Sequence, residues 1–351
     1  MIYKNLLRPI LFSLEAERAH EIGSASLRVL SRFSPILSLL RNLTQGTPKP
    51  VEAFGLQFPN AIGQAAGLDK DGMFPVASEA LGFGHIEVGT VTPLPQPGNE
   101  KPRLFRFPND LALVNRMGFN NFGAEALHHK ISKSFPKSNR RVPLGVNLGK
   151  GKQTALEDAL IDYCKGFDVL AADADYITIN ISSPNTPNLR KLQESEYLEP
   201  LLAGIKNHRL EWSKSNNIPS PPCLLKISPD ESYKSLEAIV AKAVENSFDG
   251  LIACNTSITP PASMLSQSLP QGGISGKPIE KKSNDMIKFI GKLTNNKFPI
   301  IGSGGIYDYD SAQRKLDAGA VLLQIYTSFI YEGPTWPYRL AKRMPLAKGW
   351  S

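Results

Sequence analysis

The chain has 351 residues, 41% of them hydrophobic and 21% charged, a balance that excludes disorder and leaves room for one large barrel domain plus something small. Half of the +8 net charge falls in the first 50 residues, where seven Lys or Arg stand against three Glu, a bias toward an anionic surface or ligand. Three cysteines, Cys164, Cys223 and Cys254, with no CxxC pair, exclude a disulfide framework or zinc knuckle and point to a reducing, cytosolic setting.

The opening "MIYKNLLRPILFSLEAERAH" starts basic and has a short apolar run. That run stops at Glu15, Glu17 and Arg18 without an A-x-A site, so a secretory leader is not expected. No window approaches the roughly 20 apolar residues of a membrane span. Residues 1–42 predict two amphipathic helices, one with Leu6, Leu7, Ile10, Leu11 and Leu14 on a face, the other with Leu27, Leu30, Phe33, Ile36, Leu37 and Leu40. "TQGTPKP" then reads as a linker. "VEAFGLQFP" reads as a short hairpin leading into the main domain.

From about residue 60 the pattern alternates strand, turn and helix. Strands are expected at "AIGQAAG", "HIEVGT", "PLGVNLG", "YITINIS", "CLLKIS", "DGLIACN", "PIIGSGG" and "VLLQIY", with helices over residues 156–171, 232–246, 279–293 and 309–318 among the connections. Eight apolar strands joined by helical crossovers predict an α/β fold, a (β/α)8 TIM barrel, behind a small N-terminal helical domain. The expected boundary puts residues 1–48 in the helical part and 49–351 in the barrel.

In such a barrel the active site lies at the C-terminal ends of the strands. Those ends carry Lys70, Thr90, Asn147, Asn180, Lys226, Asn255, Gly305 and Tyr326, a ring of amides with two lysines. Only five histidines exist, none in HxH or HExxH spacing, so no metal site is expected. "GSGG" closes strand seven and "YTS" strand eight, where barrels often bind phosphate; "GGISGKP" offers a third phosphate-facing loop. The plainer reading of these glycines is tight turns, but three on one rim favour a phosphorylated ligand.

"AAGLDKDG", "GFGHIEVGTVTPLPQPGNEKPRLFR", "NRMGFNN", "GVNLGK", "NISSPNTP", "GGISGKP", "IIGSGGI" and "QIYTSFI" together closely resemble the dihydroorotate dehydrogenase family, specifically its membrane-associated, quinone-dependent class 2. The resemblance runs through essentially the whole chain. It implies FMN in the barrel mouth and oxidation of dihydroorotate to orotate, the fourth step of pyrimidine synthesis. FMN would meet Ala66, Gly67, Leu68, Asp69, Lys70, Thr90, Asn147, Asn180, Lys226, Cys254, Gly276, Gly305, Tyr326 and Thr327. Substrate would meet Lys70, Asn115, Arg116, Met117, Gly118, Phe119, Asn180, Asn185, Asn255 and Thr256. Ser183 would be the catalytic base; class 1 members use cysteine, and none lies between Cys164 and Cys223. The N-terminal helices would rest on a membrane and lead a quinone to the flavin past His20, Arg106 and Tyr326. The implied setting is peripheral, on the cytoplasmic face of the inner membrane against anionic lipid, as a monomer and without nucleic acid.

The residue types suit that chemistry. Dihydroorotate has a carboxylate and a ring of alternating carbonyl and N–H groups, and an amide side chain carries both a donor and an acceptor. Lys70 can pair with the carboxylate, and Lys226 can stabilise negative charge on a reduced flavin. Ser183 is a poor base in water and needs water exclusion and a relay partner such as Thr or water. The prolines of "PNTP" would stiffen a lid over the site.

Alternatives remain at this level. Ser183 also fits a turn former before proline, His20 a satisfied helix histidine, and the N-terminal helices a subunit contact. A flavin barrel for another acid and a silent phosphate-binding barrel are the competing functions. Two departures from the family pattern stand out: Cys254 where threonine is usual, and Gln64 where an aliphatic residue is usual.

Overall fold

The computed structural model describes residues 2–44 and 50–344, so most of the expected linker, and the boundary at residue 48, lie outside the described residues. The N-terminal segment forms three helices rather than the expected two. A π-helical turn, Tyr3–Leu7, runs into α1, Arg8–Ser13; α2 spans Ala16–Leu30 and α3 Ser34–Thr44. The first break comes at Glu15, whose side chain accepts from the backbone N–H groups of Glu17 and Arg18 and so caps α2. The second comes before Ser34 and Pro35, since proline is suited to a helix start and not to its interior. The apolar set beginning at Leu27 therefore straddles two helices.

The hairpin is present as β1, Val51–Ala53, paired antiparallel with β2, Leu56–Phe58. All eight expected barrel strands form. They are β3, Ile62–Gln64, and β4, His85–Val91, separated by α4, Pro75–Ala80. After β4 the chain adds two strands that the sequence reading missed, β5, Leu104–Phe107, and β6, Ala112–Asn115, before α5, Ala124–Ser134. The barrel resumes with β7, Leu144–Leu148, α6, Ala159–Leu170, β8, Tyr176–Asn180, α7, Ser195–Asn216, β9, Cys223–Ile227, α8, Tyr233–Glu245, and β10, Gly250–Ala253. A third extra strand, β11, Gly273–Gly276, precedes α9, Glu280–Leu293, β12, Ile300–Ser303, α10, Tyr309–Asp317, β13, Leu322–Ile325, α11, Thr327–Glu332, and α12, Trp336–Arg343.

The closed barrel runs β3-β4-β7-β8-β9-β10-β12-β13 and back to β3, every pairing parallel. β11, β6 and β5 form a separate antiparallel sheet. "GGISGKP" is thus mainly a strand, not the free loop expected.

Register explains why the polar residues gather. Asn180 is level with Lys226, and Asn147 with Gly89, so side chains from neighbouring strands reach the interior at one height. Alternation supplies layers. At the bottom Tyr176, Leu224, Ile252 and Leu322 pack against Phe58 of the hairpin, which closes the barrel with apolar surface. Such a layer leaves no room beside the tyrosine: a Cβ on Gly145 would meet its ring at 2.1 Å. The larger apolar core lies between barrel and helices.

Candidate active site

The lowest polar layer centres on Glu87 of β4, which is fully buried. It accepts from Asn147 Nδ2 at 2.7 Å, Gln324 Nε2 at 2.8 Å, and the hydroxyls of Tyr176 and Thr178 at 3.3 Å, with Lys226 Nζ 3.6 Å away. A buried carboxylate is tolerable only with this degree of pairing. Asn147 carries the network upward, because its Oδ1 accepts from Thr90 Oγ1 at 2.6 Å and Asn180 Nδ2 at 3.1 Å. Asn180 Oδ1 in turn accepts from Ser182 Oγ at 3.0 Å and Asn255 Nδ2 at 3.4 Å. One chain of hydrogen bonds thereby orients the amides of three strand ends.

Above this floor opens a cavity of about 1010 Å³. Its rim comes from the ends of β8 and β10, from β6 and β11, and from the segment after β3. Asn185 Nδ2 donates to Asn115 Oδ1 at 3.3 Å, joining the "PNTP" segment to β6. Ser183, only 5% exposed, has its Oγ 3.3 Å from the Asn185 backbone N–H, which donates to it. Two residues bind that segment from behind: Arg190 donates to the carbonyls of Ser182 and Thr256 and pairs with Asp230 at 2.9 Å.

No carboxylate lines the cavity, while Lys70 and Lys226 both do. Lys70 Nζ has no hydrogen-bond or ion-pair partner among the described residues, and burial, reinforced by Arg103, pulls its ammonium down to about 8. An anion is the missing partner in this electrostatic setting. At the opposite wall three glycines have left-handed backbones: Gly276 at φ 93°, Gly304 at 88° and Gly305 at 75°. A Cβ on Gly305 would come within 2.2 Å of Glu280 Cα, and one on Gly276 within 2.2 Å of the Leu111 carbonyl. Thr327 Oγ1 stands 2.8 Å from Ser275 Oγ on the same wall. Close-approach backbone, hydroxyls and absent carboxylates are the donor set a phosphate needs.

Of the residues singled out in sequence, Ala66, Gly67, Lys70, Thr90, Asn115, Met117, Gly118, Phe119, Asn180, Ser183, Asn185, Lys226, Cys254, Asn255, Thr256, Gly276, Gly305, Tyr326 and Thr327 line this one cavity. Six do not. Asn147 lies one layer below. Asp69 accepts from the N–H groups of Met73 and Phe74, a turn-forming role, and burial raises its carboxyl to about 6. Arg116 turns out to donate to the Pro102 carbonyl and stack on Phe105, 5.3 Å from the ring centroid. Leu68, His20 and Arg106 face a second, apolar cavity between α1, α2 and the barrel, lined also by Leu11, Gly23, Leu27 and Phe329. Tyr326 packs against the Leu68, Phe74 and Ala77 cluster, as Leu27 and Phe329 do, and so forms part of the wall between the two cavities.

Arg106 caps α1, donating to the carbonyls of Leu11, Phe12 and Leu14. His20 is held neutral, its pKa lowered to about 3 by burial and by Lys70. The two departures prove mild. Gln64 points out of the barrel, where its Oε1 accepts from Ser78 Oγ at 2.7 Å, and Cys254 Sγ lies 3.8 Å from the Ser303 carbonyl with its thiol pushed up to about 11 by burial. Glu87 and Gln324 escaped the sequence reading, although a carboxylate inside "HIEVGT" and a lysine inside "CLLKIS" were the available signal.

The sequence model of dihydroorotate dehydrogenase matches residues 50–346. A dihydroorotate dehydrogenase (quinone) of Christiangramia forsetii is 44% identical over 335 residues, 95% of this chain and 96% of that protein. One of Idiomarina loihiensis is 43% identical over 330 residues, 94% and 96% of the two chains. Among solved structures, the Eimeria tenella enzyme in complex with ferulenol has a TM-score of 0.78 at 34% identity, covering 87% of this chain and 88% of that one. With the family match spanning residues 50–346 and these identities over nearly the whole chain, this chain belongs to the dihydroorotate dehydrogenase family.

Proposed function

We propose that this protein is the quinone-dependent, class 2 form of the enzyme, oxidising dihydroorotate to orotate in pyrimidine synthesis with FMN as its cofactor. The single observation that carries the reading is the cavity itself: a partnerless lysine, four strand-end or rim amides, a buried serine and a glycine-walled anion pocket face one space free of carboxylates. That donor set fits a phosphorylated flavin, with the phosphate on the Gly276, Gly304, Gly305 and Thr327 wall and the ring over Thr90, Asn180 and Lys226. When bound, the flavin supplies the hydride acceptor and later returns electrons to a quinone.

The protein's part is to bind, orient and deprotonate. Lys70 holds the substrate carboxylate, while Asn115, Asn180, Asn185 and Asn255 fix the edge of the ring through paired donors and acceptors. Hydrogen bonds of Asn180 to Thr90, Asn147 and Ser182, of Asn255 to Ser182, and of Asn185 to Asn115 set which way these amides point, so little reorganisation is needed. Ser183 Oγ takes the C5 proton. Thr186, three residues on and buried, has an Oγ1 with no partner and is the relay that passes the proton outward. Lys226, tethered by Glu87, balances negative charge that develops beside it.

Residues 1–48 act as the membrane and quinone side, and 49–351 as the catalytic barrel. Apolar side chains of the N-terminal helices, including Ile2, Leu6, Ile10, Phe33, Ile36 and Leu39, are exposed, and no described helix is long and apolar enough to cross a membrane. The exposed apolar surface supports peripheral attachment to a membrane, which this reading puts at the cytoplasmic face of the inner membrane. The apolar cavity beneath α1 and α2 is the quinone path.

The deciding experiment is an anaerobic titration with dihydroorotate, followed by flavin absorbance, and then addition of a soluble ubiquinone analogue. Bleaching and recovery establish both half-reactions. A yellow protein that stays yellow has another substrate, and one recovering only with a non-quinone oxidant is not class 2.

A further inference from the structure

A groove on the outside of the molecule collects positive charge with no carboxylate among the described residues of its own lining. One wall is the end of α2, with Arg28, Ser31 and Arg32; the other is α5, with His129, Lys130 and Lys133; Met73, Pro75 and Val76 form the floor. No carboxylate lines it, and the side chains of Arg28, Arg32, Lys130 and Lys133 have no ion pair or hydrogen bond among the described residues. Lys130 and Lys133, three residues apart, share a face of α5 and repel each other, while Arg28 near the end of α2 and Arg32 in the turn that follows it bring two more cations to the groove. The walls are nonetheless held in place, because Ser31 Oγ donates to the Leu27 carbonyl and accepts from the Ala77 N–H, pinning α2 to α4. Beside the arginines Val29 is 51% and Phe33 52% exposed.

We infer that this groove is a binding site for the phosphodiester headgroup of an anionic lipid. Four cations facing one concavity fit a phosphate, and the exposed apolar residues next to them fit the acyl chains of the same molecule. A free phosphate would use the cations and leave the apolar flank without a role. The inference rests on the membrane reading above and adds to it a particular site, away from the apolar cavity that receives the quinone.

The test is sedimentation of the full chain with vesicles of phosphatidylcholine alone or with admixed phosphatidylglycerol. Wild type partitions roughly tenfold or more tightly onto the anionic vesicles. Arg32→Glu/Lys130→Glu/Lys133→Glu brings that preference to nothing, while Lys288→Glu/Lys292→Glu/Lys297→Glu, equal in charge and exposed on the other side of the barrel, keeps most of it. Turnover with a soluble quinone at the wild-type rate verifies that each variant is folded; Lys130→Gln/Lys133→Gln replaces the triple reversal should that fail, with a smaller loss expected. Equal loss in both triple variants overturns the site in favour of net charge. Equal wild-type partitioning on both vesicles overturns the site while leaving the membrane reading intact, and binding to neither overturns both. Release by inorganic phosphate, beyond that by chloride at equal ionic strength, makes this a soluble-phosphate site and ends the lipid assignment.

Discussion

Lys226 Nζ lies 3.6 Å from Glu87 Oε1 just beneath the cavity, and among the described residues each is the other's only ion-pair partner. Removing either one strands a buried ion. Lys226→Met is expected to cost about 3–5 kcal/mol of stability and to weaken flavin binding. Adding Glu87→Gln should restore much of the stability without restoring flavin reduction. Denaturant unfolding and stopped-flow bleaching of both variants separate the two effects; full recovery of the rate in the double variant would make Lys226 purely structural.

Ser183→Ala should leave the protein yellow and slow flavin reduction by dihydroorotate by about 10²–10⁴-fold, the range of a lost general base. Thr186→Val should slow the same step less, since water can substitute for a relay. A near-normal reductive rate in Ser183→Ala excludes this serine as the base.

Much of this site was legible because a barrel puts chemistry at strand ends, and each strand segment expected from the sequence ends in a polar residue or glycine. The amides at positions 147, 180 and 255 could be placed from that rule alone. What escaped notice depends on long-range pairing: β6 meets β11 across about 160 residues, with Val114 level with Ile274, and neither strand is long or regular enough to announce itself. Glu87 was missed for a different reason. Its five partners come from four different strands, so only the closed barrel reveals them.

Binding of orotate should depend on pH through Lys70. Its ammonium, drawn down to about 8 by burial, is charged below that pH and neutral above it. A bound carboxylate raises this pKa, so affinity is constant below pH 8 and then falls by about tenfold per unit until the pKa of the complex is reached. Calorimetry across pH 6–10, a window of roughly two units on either side, checks this, and Lys70→Gln should bind weakly with a flat profile. A wild-type profile that is also flat would assign the carboxylate to another residue.

The Arg190–Asp230 pair holds the lid segment to the loop after β10, and Lys282, Ser257 and the Ile258 N–H also donate to Asp230. Burial pushes that carboxyl up, but these donors prevail and hold it near 2. Because the folded pKa is depressed, the stabilisation is complete above the unfolded carboxyl's range near 4 and disappears as pH falls toward 2. At neutral pH, Arg190→Ala should raise KM for dihydroorotate several-fold by loosening Ser183, Asn185 and Thr256 together. An unchanged KM would mean that the segment keeps its position without the clamp.

Gly23 gives the clearest separation of the two half-reactions. It lines the apolar cavity from α2, and a Cβ built on it would meet no atom within 4 Å. Gly23→Leu therefore places its Cβ in open space at the cavity and removes a glycine from a helix interior, a change that by itself should raise stability by about 0.5–1 kcal/mol. The added side chain occupies the proposed quinone path. Reoxidation by a long-chain quinone should slow by an order of magnitude or more, while bleaching by dihydroorotate keeps its rate. Deleting the helices is a poorer test, because it also takes Glu17 from buried Arg103 and Arg41 from buried Glu79. Unaltered quinone kinetics in a stable Gly23→Leu protein would show that the quinone reaches the flavin by another route.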